Sequence, residues 1–299
     1  MARVLGMVCS GRKRGYTATL LAEVLSGAAS VEGVKTETVY VSEHQFGPCI
    51  SCFDCIRNPD HTCVLDDAFG RRGEGPLFKR VREAHGLVIA SPVHNYGVSA
   101  LAHLVVERCY PFVWSDELNG MPFAGIVCAS NQGMHLRALE ELCKFAYTLG
   151  TRWIDGLAVH TSFYQTALLD ARVIGKRLGE AAKVDENEGR KRFSDVERMV
   201  HYMSLPWNPL DWMMENLKMI DRSLKEGTFQ RLEAVELLEK AGPEYQEAVR
   251  YYRLKNYGEA IKHLNAALSY WTRATWAEYL ELQVIGAAPP KVYRPLPGA

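Results

Sequence analysis

Over roughly its first 185 residues the chain alternates short apolar runs with longer amphipathic stretches, and few folds accommodate that rhythm. Val4–Cys9 is an apolar run ending in Ser10-Gly11, and the helical stretch Thr17–Leu25 that follows stops at Gly27. Thr36–Val41 reads as a second strand and runs into a cysteine-rich loop. Leu87–Ala90 reads as a third, preceded by a helix at Leu77–Ala84. Phe123–Ala129 is the fourth, followed by an amphipathic helix over His135–Leu149. Leu157–Thr161 is the fifth, and Ala167–Ala182 the closing helix. Strands joined by helical crossovers run parallel, because a tight hairpin joins antiparallel strands only. Five such units without large insertions predict an α/β fold with a doubly wound five-stranded parallel sheet of order 2-1-3-4-5.

From about Asp185 the composition changes. No cysteine follows Cys143, strand-like runs vanish, and eight of 14 tyrosines lie beyond residue 184. The polar stretch Asp185–Arg192 reads as a linker, which divides the chain into 1–184 and an all-helical extension, 185–299. Asn208 suits a helix N-cap, Pro209 the first helical position and Gly227 the stop, so one helix is expected between them. Its stripe of Leu210, Met213, Leu217, Ile220 and Leu224 suits core packing or a subunit seam. Ala248, Tyr251, Ala260, Leu264 and Ala267, spaced about the turn Lys255–Gly258, resemble a single tetratricopeptide repeat. One repeat cannot bury its own face, so a helical hairpin packed on neighbours is expected rather than a peptide-binding array. The tail Ala287–Ala299, with four prolines, is expected to be extended.

Charge and cysteine content narrow the function. With 35 basic and 35 acidic side chains the chain lacks the basic excess that nucleic acid or an anionic membrane rewards, so neither is expected as a partner. No apolar run approaches the roughly 18 residues of a membrane span. Met1–Gly6 turns polar too early for a signal peptide, and a cytoplasmic location is expected. Of eight cysteines, four fall within the 15 residues from Cys49 to Cys63. In a reducing compartment such clusters bind metal more often than they form disulfides. Cys9, Cys109, Cys128 and Cys143 stand singly in apolar segments and read as small core residues.

Two loops carry chemistry. Strand one leads through Cys9-Ser10-Gly11-Arg12-Lys13-Arg14-Gly15-Tyr16-Thr17 into a helix. Backbone N–H groups at a helix N-terminus bind anions, and the hydroxyls and basic side chains here add to that. The loop lacks the endings of nucleoside-triphosphate and dinucleotide loops. The second is Cys49-x2-Cys52-x2-Cys55-x7-Cys63. Three cysteines at successive intervals of three, with a later fourth, match ferredoxin-type [4Fe-4S] runs. Zinc and thiols without metal remain open alternatives.

Together these stretches resemble the iron–sulfur flavoprotein family, a branch of the NADPH-dependent FMN reductase group with a flavodoxin-like fold. The resemblance rests on Ser10–Thr17, on Pro48–Cys55, on Cys63-Val64-Leu65-Asp66-Asp67, and on Ser91–Ser99, and it covers roughly residues 1–180. It implies that Ser10, Arg12, Gly15, Tyr16 and Thr17 hold the FMN phosphate. It implies that Ser91, Pro92, Val93, His94, Asn95, Tyr96 and Gly97 cradle the ring, with Ala129, Ser130, Asn131 and Gly133 closing the other side. It also implies Cys49, Cys52, Cys55 and Cys63 as cluster ligands, and a homodimer or homotetramer. The family usually has an aromatic where this chain has His94, and a Lys and Asp-Arg where it has His103 and Glu107-Arg108. His94 and His135 lie beside the flavin loops and are candidate proton donors. In a parallel sheet all these loops leave from the carboxyl edge, where ligands bind. The expected activity is an FMN- and 4Fe-4S-dependent oxidoreductase drawing electrons from ferredoxin or NAD(P)H for an acceptor or a small organic substrate. A cluster-free NAD(P)H-dependent FMN or quinone reductase and a zinc-containing, non-catalytic binding or assembly protein are the alternatives.

Overall fold

A computed structural model describes residues 1–131 and 133–280, so Gln132 and the expected extended tail, Ala287–Ala299, lie outside the described residues. The elements follow the predicted rhythm: β1 (Ala2–Val8), α1 (Tyr16–Ala29), β2 (Val34–Tyr40), α2 (Asp54–Arg57), α3 (Pro76–Arg82), β3 (Gly86–His94), β4 (Gly97–Val98), α4 (Ala100–Arg108), α5 (Tyr110–Ser115), β5 (Pro122–Ala129), α6 (His135–Thr148), β6 (Arg152–His160) and α7 (Tyr164–Glu188). The five long strands are parallel, in the spatial order β2-β1-β3-β5-β6. Counted among themselves they lie 2-1-3-4-5, the flavodoxin-like order that the sequence predicts.

The sixth strand, β4, is an addition to that expectation. β3 continues past Ala90 to His94, and Asn95 and Tyr96 then take φ of 48° and 68°. Positive φ at both central residues makes a two-residue hairpin turn. The chain folds back antiparallel, pairing His94 with Gly97 and Val93 with Val98.

β5 is buried at every position, as a central strand covered on both faces should be. On one face, Leu20, Leu21, Val24 and Ala28 of α1 and Ala171, Ile174, Leu178 and Ala182 of α7 pack over Val4, Val88, Ala124 and Ile126. The two helices approach backbone to backbone. A Cβ on Gly27 would stand 2.0 Å from the Arg172 carbonyl oxygen, and one on Gly175 would stand 1.8 Å from that of Val24.

The stretch read as a linker from Asp185 is still helical as far as Glu188. Asp185 is buried there, 2.9 Å from an Arg152 guanidinium nitrogen and 3.8 Å from one of Arg190. That pairing gives a polar sequence a folded role. The compact units divide later than residue 184: Met1–Cys52 with Thr62–Arg192 form the first, and Phe53–His61 with the described residues from Phe193 to Leu280 form the second. No described helix is long and apolar enough to cross a membrane.

The second unit continues with α8 (Asp195–Tyr202), α9 (Pro209–Asn216), α10 (Met219–Glu226), α11 (Leu232–Arg253) and α12 (Tyr257–Thr275). Ser194 and Glu197 form a reciprocal capping box at α8. The helix expected between Asn208 and Gly227 has both predicted ends, with Asn208 Oδ1 accepting from the Leu210 N–H at 2.9 Å and Gly227 at φ 62°. It is nevertheless two helices. A tight turn intervenes in which the Ile220 N–H donates to the Leu217 carbonyl at 3.0 Å, and both side chains are fully buried. The apolar stripe continues through the break, so periodicity does not reveal it. α11 and α12 form the expected hairpin, closed by Ala248, Ala260, Leu264 and Ala267, each 0% exposed.

Candidate functional site

β1 ends where the Cys9 N–H donates to the Ala90 carbonyl at 2.8 Å, and the chain leaves the sheet at Ser10. The Ser10 hydroxyl accepts the Arg12 N–H at 3.1 Å, folding the loop back on itself. Gly15 is the N-cap of α1 and offers no side-chain cap, and the first turn carries no acidic residue. The leading N–H groups of α1 are thus left for an anion, with the positive end of the helix dipole behind them. A side chain at Gly15 would crowd this turn, since its Cβ would meet the Arg12 Cβ at 3.2 Å.

These groups form one wall of a cleft of about 900 Å³ at the carboxyl edge of the sheet. Ser10, Arg12, Gly15, Tyr16 and Thr17 line it from the first loop, joined by Gly11, Arg14 and Thr19. Pro92, Val93 and His94 line it from the end of β3, and Cys128, Ala129 and Ser130 from the end of β5. Thr161 and Tyr164, after β6, complete it. The Tyr164 ring meets that of Tyr16 edge-on at 4.6 Å. Sequence reasoning did not single out Thr161 and Tyr164. Their signal was available, because the fifth parallel strand delivers its loop to the same edge as the others.

Several expected cleft residues lie elsewhere. Ser91 is 0% exposed. Its hydroxyl donates to the Pro92 carbonyl at 2.8 Å and accepts the Ser99 N–H at 2.9 Å, so it pins the base of the hairpin. Asn95 and Tyr96, both exposed, form the hairpin turn with Gly97 half-buried beside it, and none of the three is among the lining residues. The Asn131 carbonyl accepts from His160 Nε2 at 3.2 Å, outside the lining. Gly133, at φ 84°, and His135 also fall outside it. Of the two candidate proton donors, His94 lines the cleft. His135 begins α6 with its ring 6.1 Å from that of His160. Burial, and then the His160 charge, hold the His135 imidazole below its usual range. His160 Nδ1 accepts the Ser162 N–H at 3.2 Å.

The buried thiols behave as core. Burial pushes Cys9 upward, Cys109 up to about 12 and Cys128 up to about 11, so all three stay protonated at neutral pH.

The cysteine loop is built differently. Cys49, Cys52 and Cys63 belong to the first unit, whereas Cys55 lies in α2, in the segment Phe53–His61. All four are half-buried. Ser51 and Phe53 adopt φ of 52° and 56°, so the loop reverses direction without glycine. The Ser51 N–H donates to Cys49 Sγ at 3.4 Å, and Arg108 Nη2 donates to Cys63 Sγ at 3.4 Å. The Cys49 N–H donates to Glu107 Oε1 at 3.0 Å. Arg108 also forks onto Asp67, with contacts of 2.5 and 2.8 Å. Burial alone would raise the Asp67 carboxyl, but hydrogen bonds from Arg108 and from the Phe69 N–H outweigh it and hold the group below the usual carboxylate range. Among the described residues no three His, Cys, Asp or Glu side chains stand close enough to hold a metal ion. As placed, the four thiols are not gathered into a metal-binding group.

The family model for NADPH-dependent FMN reductase matches residues 2–166, a segment that contains every residue lining the cleft. An iron-sulfur flavoprotein of Methanocaldococcus jannaschii is 29% identical over 198 residues, which are 61% of this chain and 98% of that protein. One of Archaeoglobus fulgidus is 30% identical over 113 residues, covering 38% of this chain and 53% of its own length. Among solved structures, a flavone reductase is 17% identical with a TM-score of 0.49, over 65% of this chain and 67% of that one. With the family's segment spanning the sheet, the phosphate loop and the whole cleft, the chain belongs to the NADPH-dependent FMN reductase family of flavin-dependent oxidoreductases.

Proposed function

We propose that this chain is an FMN- and 4Fe-4S-dependent oxidoreductase, taking electrons from ferredoxin or NAD(P)H and delivering them to an acceptor or a small organic substrate. The observation that carries this reading is the cleft, in which an uncapped helix N-terminus, Ser10, Arg12, Arg14 and Thr17 face the loops that end β3 and β5. The regular cysteine spacing and the names of the relatives support the cluster.

In this reading Arg12 and Arg14 neutralise the phosphate while the Tyr16 and Thr17 N–H groups and the Ser10 hydroxyl bind its oxygens. Pro92, Val93 and His94 support one side of the ring, and Ala129 with Ser130 the other. His94, exposed at the cleft wall, is the candidate proton donor there. Cys128 remains a neutral thiol and presents an apolar surface. Cys49, Cys52, Cys55 and Cys63 hold the cluster. When bound, FMN supplies a carrier that exchanges electrons singly or in pairs, and the cluster a one-electron carrier.

Cofactor analysis of protein purified without oxygen tests this. One FMN and about four iron atoms per chain are expected, with the broad absorption near 400 nm that such clusters show. Cys63→Ala should lose the iron and that band, while Cys143→Ala should keep both. Changing Arg12 and Arg14 together to Ala should weaken FMN at least about tenfold, since each charge-assisted contact contributes about 1.5–3 kcal/mol, and should leave riboflavin binding unchanged. Flavin without iron would leave a cluster-free reductase. Zinc without flavin would leave a binding protein, and colourless protein with neither would overturn the whole reading.

A further inference from the structure

We infer that Glu141 is a positioning residue for the cleft. Its carboxylate holds the returning arm of the β3–β4 hairpin and so sets the wall that Pro92, Val93 and His94 form. This rests on the FMN-binding reading above and adds to it a residue that does not itself line the cleft.

The need for such a residue begins in the ladder. The two-residue turn makes His94 and Gly97 the closing pair, with Val93 opposite Val98 next. Antiparallel pairs alternate between those that exchange hydrogen bonds and those that do not, so the Val98 N–H points away from β3. Val98 is 4% exposed, which keeps water from that N–H, and among the described residues no further strand pairs with β4. A buried donor of this kind has to find an acceptor. Glu141, midway along α6, supplies one: its Oε2 accepts the Val98 N–H at 2.8 Å. The following N–H, of Ser99, turns the other way and is accepted by the Ser91 hydroxyl at 2.9 Å. The returning arm is thus held on both edges by side chains.

Gly97 leaves room for this contact. A Cβ there would stand 2.8 Å from Glu141 Oε2 and 3.0 Å from Oε1, so the carboxylate lies against bare backbone. His103 Nε2, from α4, is 3.9 Å from Oε2, and both side chains reach water. That separation is too long for a hydrogen bond, and an exposed ion pair contributes little. What Glu141 supplies is therefore an acceptor atom rather than a charge.

The consequence for the cleft is one of order. The pairing of β3 with β5 ends at Pro92, so in the sheet Val93 and His94 have only β4 beside them. If β4 loosens, ligand binding must order the wall, and apparent affinity falls with the fraction of molecules in which the wall is formed. The wall faces the ring rather than the phosphate, so FMN and riboflavin should weaken by the same factor.

The test compares full-length, flavin-free wild type with Glu141→Ala, Glu141→Gln, His103→Gln and Gly97→Ala. Each is followed by amide hydrogen exchange over residues 93–99 and by titration with FMN and with riboflavin. Glu141→Ala should exchange there at least about tenfold faster and bind both flavins about tenfold more weakly. Glu141→Gln keeps an acceptor oxygen without the charge and should stay within about twofold of wild type, as should His103→Gln. Gly97→Ala displaces the carboxylate and should reproduce the loss, and adding Glu141→Ala to it should cost nothing more. Wild-type exchange and affinity in Glu141→Ala would overturn the inference. So would a Glu141→Gln protein as weak as Glu141→Ala, or an equal loss in His103→Gln, since either would make the charge the contribution. Weaker FMN with unchanged riboflavin would overturn it too, by moving the effect to the phosphate. Should Glu141→Ala fail to fold, Gly97→Ala decides on the same measurements. A folded wild type that binds neither flavin would overturn the FMN reading and the cleft role with it, while the exchange rates still decide whether Glu141 holds the hairpin.

Discussion

Ser99 serves three elements with one hydroxyl. It donates to the Cys9 carbonyl at 2.6 Å, accepts the Ala102 N–H at 3.3 Å as the N-cap of α4, and lies 3.3 Å from the Ser91 hydroxyl. All of these groups are buried, so none can turn to water. Ser99→Ala should therefore cost about 1–3 kcal/mol, combining a lost cap with a buried carbonyl left unsatisfied. Urea denaturation at unchanged m-value measures it, and a cost below about 0.5 kcal/mol would contradict the assigned roles. The same corner marks how far single residues are legible. Ser10, Arg12 and Thr17 follow from a strand–turn–helix junction, whose chemistry is local. Ser91 was expected in the cleft because its position in the chain is right. Which way its hydroxyl points depends on Ser99, eight residues on, and on a hairpin whose central residues, Asn95 and Tyr96, include no glycine to announce it.

At the scale of elements, the crossing of α1 and α7 constrains the cleft most, because α1 begins at the phosphate loop. Gly27 and Gly175 let the two backbones meet. The obstacles to any side chain there are carbonyl oxygens, which cannot swing aside as a flexible side chain would. Gly175→Val should separate the helices, lowering stability by about 2–3 kcal/mol and weakening FMN binding through displacement of the α1 N-terminus. Gly258→Ala is the control. A Cβ there meets nothing nearer than Asn256 Oδ1 at 4.0 Å, so a replacement inside α12 should be neutral or stabilising by up to about 1 kcal/mol. Thermal melts and flavin titration of both variants check this, and wild-type behaviour of Gly175→Val would refute it. Periodicity identified α1 and α7 but not their glycine contact, which needs the partner's position. It likewise missed the turn between Leu217 and Ile220, where one apolar stripe crosses two helices. The extension of α7 to Glu188 was hidden because Asp185 is polar in sequence and buried between Arg152 and Arg190 in the fold.

For the molecule as a whole, a formal net charge of zero removes overall self-repulsion as the source of pH sensitivity and leaves it to particular groups. Three histidines dominate just below neutrality. Burial and then Arg80 hold His44 below the usual value of 6.5, burial and then Arg190 do so for His85, and burial and then His160 for His135. Between that ordinary value and the lowered native one, the unfolded chain binds more protons than the folded chain. Stability is then complete above about pH 6.5 and declines as the pH falls through the window. Melting temperature should therefore drop from pH 7 to pH 5.5, and calorimetry in buffers of different ionisation enthalpy should detect net proton uptake on unfolding. His85→Gln should remove up to about one proton from that uptake and flatten the slope accordingly. Carboxylates held low, such as Asp67, act in the same sense but chiefly below about pH 5, whereas Asp185, whose carboxyl burial raises despite Arg152 and Arg190, acts in the opposite sense. Protonation of Asp185 favours the folded state, so it restores stability as the pH falls. A melting temperature unchanged between pH 7 and 5.5, or proton release on unfolding there, would show that these imidazoles are not held neutral by the fold.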